Sequence, residues 1–233
     1  CPALKEAGID HRPFYFGVWD ADFAVDGAGT LLYHAPEISH DFFRAWFQRL
    51  YGPVVREWYD HAAPKSKNLS TLLGLVEHKR STEFLMVMLD MYHLPERENK
   101  FNQNPFPHYL MVETTDDPSV WQVLDPDFRW EGRIDKEKIV NAVAQPTVGG
   151  GYIFDAAEAH PAAHADIRDY FEACFRRDNT LTERVRDIVR MHAEGPHPLC
   201  RLGGALRELP VISIRKYAYE HGFAFFWRAQ KLP

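Results

Sequence analysis

FPHYLMVETTDDPSVWQVLDPDFRWEG, residues 106–132, holds two apolar runs joined by a polar turn. HYLMVE and VWQVLD are of strand length, and TTDDPS between them carries the Asp, Pro and Ser residues that turn a chain. The pattern predicts a β-hairpin. In a hairpin the start of the first strand lies beside the end of the second, so His108 and Asp125 are brought to the same end. An imidazole oriented by a carboxylate supplies two of the three members of a nucleophilic triad. Asp127 also lies close by, but in the turn that follows, so Asp125 is the preferred partner.

Outward from the hairpin the texture changes on both sides. EFLMVMLDMYHLP, upstream, is a continuous apolar run of strand length, and the polar loop ERENKFNQNPFP separates it from His108. Downstream, IDKEKIVNAVA reads as a helix capped by Asp135, and GGGYIFD as a further strand. Before these, CPALKEAGI reads as a short helix ending at Gly8, and FYFGVWDADFAV as packed loop or short strand. SHDFFRAWFQRLYGP is an amphipathic helix that Ser39 can cap and Gly52-Pro53 stop. PVVREWYDH is expected to resume helically, and NLSTLLGLVEHK to form another capped helix. From about Ala156 onward, ADIRDYFEACFRR, LTERVRDIVRMHA and GALRELPVISIRKYAYEHGFAFFWRA are helical in pattern. The layout is α+β: N-terminal helices, a central antiparallel sheet and a helical C-terminal subdomain, with a catalytic part over 1–155 and the subdomain over 156–233.

Composition narrows the function classes. A chain of 233 residues with 45% hydrophobic content can bury a full core without metals or disulfides. A formal charge of −6 offers no excess of cations for phosphates, so nucleic acid is not an expected partner. Neither a membrane-length apolar run nor a signal peptide is read, and the three scattered cysteines, Cys1, Cys174 and Cys200, fit a reducing compartment; the expectation is a cytoplasmic protein without membrane partners. The sequence opens on Cys1 without a Met, which suits either a processed product or a fragment with residues upstream.

The third triad member has to be a nucleophile. Cys1 precedes a helix, where the helix dipole and free N–H groups stabilise a thiolate. Cys174 sits on the apolar face of a helix as a core thiol, and Cys200 lies in a loop with only His197 as a nearby base. Gly149, Gly150 and Gly151 precede a strand where a phosphate loop would open a helix, so no dinucleotide cofactor is read there. His160 and His164 have helical ligand spacing, but Pro161 lies between them and no acidic third ligand follows, so no metal site is read.

These residues resemble a known family. EFLMVMLDMYHLP followed by PHYLMVETTDDPSVWQVLDPDFRWEGRIDKEKIVNA is similar to the papain-like fold of the bacteriocin-processing peptidases, and more closely to the butirosin-pathway acyltransferase family. Asp90, Leu94 and Pro95 match the pattern before the histidine strand, His108 that strand, Asp125-Pro126 its partner, and Gly132 to Glu137 the following helix start. The resemblance covers roughly residues 1–155 and implies a papain-like cysteine-protease fold. It places the nucleophile at Cys1, or upstream of it, with His108 and Asp125 completing the triad. The implied reaction is cysteine-dependent acyl transfer from an acyl carrier protein or other acyl thioester to a small-molecule amine, in specialised biosynthesis. A peptidase or amidase using water, a processed N-terminal nucleophile with its own amine as base, and an inactive binding module of the same fold are the alternatives.

Overall fold

The apolar runs of the middle of the chain become strands because each can bury one face against helices. In the computed structural model, which describes residues 2–17, 22–33, 38–97, 104–125, 130–175, 177–178, 180–213 and 219–230, the protein is α+β with a six-stranded sheet. The described chain forms two compact units, Cys1–Ile9 with Gly52–His160, and Asp10–Tyr51 with Pro161–Pro233. Neither unit is a single stretch of sequence.

The first unit contains the sheet. In chain order its strands are β3 (Arg56–Glu57), β4 (Glu83–Asp90), β5 (Pro107–Thr114), β6 (Val120–Asp125), β7 (Trp130–Asp135) and β8 (Gly151–Asp155), and in space β3-β8-β4-β5-β6-β7. Every neighbouring pair is antiparallel. Helices α4 (Lys65–His78) and α5 (Lys136–Ala144) cover one face. Leu72 and Val76 of α4 and Ile139, Ala142 and Val143 of α5 meet Leu85, Val87 and Leu89 of β4, Leu110 and Val112 of β5, and Trp121 and Val123 of β6 in one core. Alternation along each strand gives that face its apolar side chains. A short helix, α1 (Pro2–Glu6), buries Ala3 and Leu4 and ends where Gly8 takes a φ of 70°, a value glycine adopts without strain.

The expected sheet, hairpin and flanking helices are present, and local details differ. PVVREWYDH forms the edge strand β3 instead of a helix, because Arg56 and Glu57 pair with Ile153 and Tyr152 of β8. Helix α4 starts at Lys65, so Asn68 does not cap it. The Asn68 side chain is buried and accepts from Asp60 N (2.9 Å) while donating to Asp60 O (2.9 Å). Asp135 stands at the N-cap of α5 without a side-chain capping bond. The glycines at the start of β8 admit aromatic neighbours: a β-carbon at Gly151 would lie 2.1 Å from the Trp58 ring, and one at Gly150 2.3 Å from the Tyr109 hydroxyl.

The second unit is helical, apart from the two-stranded ribbon of β1 (Ala24–Val25) and β2 (Leu31–Leu32). Its helices are α2 (Arg12–Gly17), α3 (Asp41–Tyr51), α6 (His164–Cys174), α7 (Thr180–Ala193), α8 (Leu202–Ala205), α9 (Leu209–Ser213) and α10 (Tyr219–Ala229). Part of the aromatic stretch read as loop or strand is therefore helix α2. Asp10 accepts its Arg12 N–H (3.0 Å), and the Phe14 ring sits edge-on to Phe47 and stacked on Tyr170. Aromatic contact drives the helix where no apolar period announces it. Tyr51 donates to Asp10 O (3.0 Å) and Tyr170 to Phe14 O (3.1 Å), and burial pushes both hydroxyls above the ordinary tyrosine range, so both stay neutral donors. A second small core gathers Leu31, Leu181, Ile188, Ala205 and Ile212. Among the described residues no helix is long and apolar enough to cross a membrane.

Candidate active site

The hairpin register decides whether His108 and Asp125 can meet. Met111 pairs with Leu124 and Val112 with Val123. One step further sets Asp125 across from Leu110, and His108 is two residues before Leu110, hence on the same face. His108 Nε2 lies 3.2 Å from Asp125 Oδ1. The Asp125 side chain is fully buried and that of His108 is 15% exposed, so the carboxylate is shielded while one edge of the imidazole is accessible. Asp125 holds Nε2 and thereby fixes the orientation of the ring.

Two neighbours complete the arrangement, and the first of them, Arg97, is one that sequence reading missed. Arg97 Nε donates to Asp125 Oδ2 at 3.2 Å, so the two carboxylate oxygens carry different partners. Arg97 is itself only 5% exposed, and its guanidinium lies over the Trp130 ring, 5.8 Å from the centroid. The turn that delivers it is fixed by three contacts. Leu94 is buried in the sheet core, Arg97 N–H donates to Leu94 O (3.0 Å), and Glu96 pairs with Lys138 of α5, which holds the Glu96 carboxyl below its ordinary pKa. Trp130 can lie beneath Arg97 because position 132 is glycine; a β-carbon there would come within 2.5 Å of the Trp130 ring.

The second neighbour is Asp90, buried at the end of β4. Its Oδ1 accepts from Tyr92 N (3.1 Å) and Phe106 N (2.8 Å), and its Oδ2 from Thr147 Oγ1 (2.8 Å). These bonds tie the end of one strand to the start of the next, and the Phe106 ring stands 6.0 Å from that of His108. Asp90 thus fixes the backbone from which His108 projects. In sequence Asp90 was marked by its place at the end of an apolar strand and by its match, with Leu94 and Pro95, to the family pattern before the histidine strand; its bonding role was not read.

The remaining candidates separate. Cys1 lies outside the described residues, as does Asp127. Cys174 is buried and Cys200 exposed, both outside any disulfide. The His197 ring packs on His192, with centroids 5.2 Å apart. Among the described residues no group of three or more His, Cys, Asp or Glu side chains is placed to hold a metal ion. The arrangement can hold an imidazole in one orientation against a buried carboxylate, the pairing that proton transfer uses.

Comparison with known proteins gives the chain its relatives. It is 45% identical over 230 residues to "Petrobactin synthase" of Bacillus anthracis, an alignment that spans 97% of this chain and 70% of the relative. No solved structure gives a significant match. Residues 1–159 match the DUF6005 N-terminal domain and residues 165–233 the DUF6005 C-terminal domain. With nearly its whole length matched, the chain belongs to the DUF6005 family.

Proposed function

We propose that the protein is a biosynthetic enzyme, a cysteine-dependent acyltransferase of papain-like fold that moves an acyl group from a carrier-protein thioester to an amine. The observation that carries this reading is the buried Asp125 holding the accessible His108 at 3.2 Å. The name of the relative, a petrobactin synthase, supports bond making over hydrolysis and points to siderophore synthesis as the setting.

His108 takes the thiol proton of the nucleophile, assigned to Cys1. The thiolate attacks the acyl carbonyl carbon, the carrier C–S bond breaks, and the carrier sulfur leaves with the proton held on the imidazolium. An amine then attacks the acyl-cysteine, His108 removes its proton, and the cysteine leaves as thiolate to close the cycle. Asp125 keeps the imidazole in the required tautomer throughout.

Mass spectrometry after incubation with an activated acyl thioester tests this. The expected result is one added acyl group on Cys1, lost in Cys1→Ala and in His108→Ala, and discharged by an amine faster than by water. Acyl mass on Cys174 or Cys200 would relocate the nucleophile. Discharge by water alone would make the protein a hydrolase, and no acyl mass with the wild-type protein would favour a binding module.

A further inference from the structure

Arg97 is buried, with its guanidinium over the Trp130 ring. A buried arginine keeps its charge and must be paired, and the same carboxylate that holds His108 is one of its partners. We propose that Arg97 is a positioning residue for the proton-transfer pair: it fixes the plane of the Asp125 carboxylate and offsets its charge, so that His108 can both take up and give back a proton. The catalytic consequence rests on the acyl-transfer reading; the coupling of Arg97 to His108 does not.

Two effects support the proposal. Geometrically, Oδ2 is held by Arg97 from the turn after β4 and Oδ1 by His108 from β5, so two separate segments determine the carboxylate orientation. Electrostatically, a lone buried carboxylate would favour the imidazolium strongly and slow its return to the neutral base, and a fixed cation on the other oxygen weakens that pull. Charged groups near His108 come from several elements of the sheet unit. Asp125 comes from β6, Arg97 from the preceding turn, and Asp90 from β4, the last already bonded to Tyr92 N, Phe106 N and Thr147. Helix α5 presents Lys138, which pairs with Glu96.

NMR titration of the His108 ring provides a readout independent of turnover. In Arg97→Gln the titration midpoint should rise by about one pH unit, while Arg97→Lys, which keeps the charge, should stay near wild type. In the wild-type protein the Arg97 Nε–H resonance should exchange slowly and shift with the His108 titration, a test that holds even if Arg97→Gln does not fold. In folded variants, the acid limb of the acylation pH profile should move upward with the His108 midpoint. An unmoved midpoint in Arg97→Gln, or an Arg97 Nε–H indifferent to His108, would overturn the proposal. If the titrations behave as expected and wild-type protein never becomes acylated, the coupling stands and the acyl-transfer reading fails.

Discussion

Two carboxylates end the strands on either side of β5, Asp90 on β4 and Asp125 on β6, and both are almost completely buried. Their partners differ in kind. Asp90 is held by two backbone N–H groups and a threonine hydroxyl, none of which changes charge near neutral pH. Asp125 is held by an imidazole and a guanidinium, one titratable and one permanently charged. Burial alone therefore says little about role. A buried carboxylate with neutral donors fixes a backbone, whereas one shared by a histidine and an arginine can manage a proton.

The sharpest way to break this contrast is to exchange the chemistry at Asp125. Asp125→Asn should lower acyl transfer by about 10²–10⁴-fold while far-ultraviolet circular dichroism still reports the sheet. Activity within a few-fold of wild type would remove the distinction between the two carboxylates. The mirror experiment is Asp90→Ala, which leaves the Phe106 and Tyr92 N–H groups without their acceptor. It should cost about 2–4 kcal/mol in urea unfolding, with turnover of the folded fraction changed only a few-fold. A large loss of turnover at unchanged stability would make Asp90 a chemical participant.

Smaller substitutions sharpen the comparison. Thr147→Val removes one neutral donor from Asp90 and should cost about 1 kcal/mol, read as a lowered urea midpoint with an unchanged slope. At the far end of β4 lies a weaker carboxylate. Glu83 is held below its ordinary pKa of 4.5 first by the Arg80 N–H and then by the Arg80 guanidinium. A depressed carboxyl stabilises the fold above its ordinary pKa, and the contribution fades as pH falls through the folded value. Wild type should therefore be slightly more stable than Glu83→Gln at pH 7, the difference vanishing in acid titration. An advantage that persists at pH 2 would assign the effect to packing.

What the sequence revealed and what it hid has a physical division. The hairpin was legible because alternation and a polar turn are local signals, and they also placed His108 and Asp125 at one end. Arg97 was hidden because it stands in ERENKF, a charged loop that reads as solvated surface, and its burial depends on a carboxylate 28 residues away. Helix α2 was hidden because Phe14 and its neighbours form no apolar period, and ring contacts from α3 and α6 decide its conformation. Edge strand β3 was hidden because its pairing partner lies in β8.

The division into units also bears on how the chain is made. Asp10–Tyr51 belongs to the helical unit, yet its companions in Pro161–Pro233 come after the whole of Gly52–His160. During synthesis the sheet unit has all its parts once residue 160 has left the ribosome, while the early helices wait for theirs with the faces of Phe14 and Trp46 that Tyr170 covers still open. A nascent chain arrested shortly after residue 160 should therefore protect the β5–β6 hairpin from protease before it protects α2 and α3. By the same division, residues 161–233 expressed alone would lack the packing partners that Asp10–Tyr51 supplies, so a truncation placed between the two matched domains would cut through the helical unit.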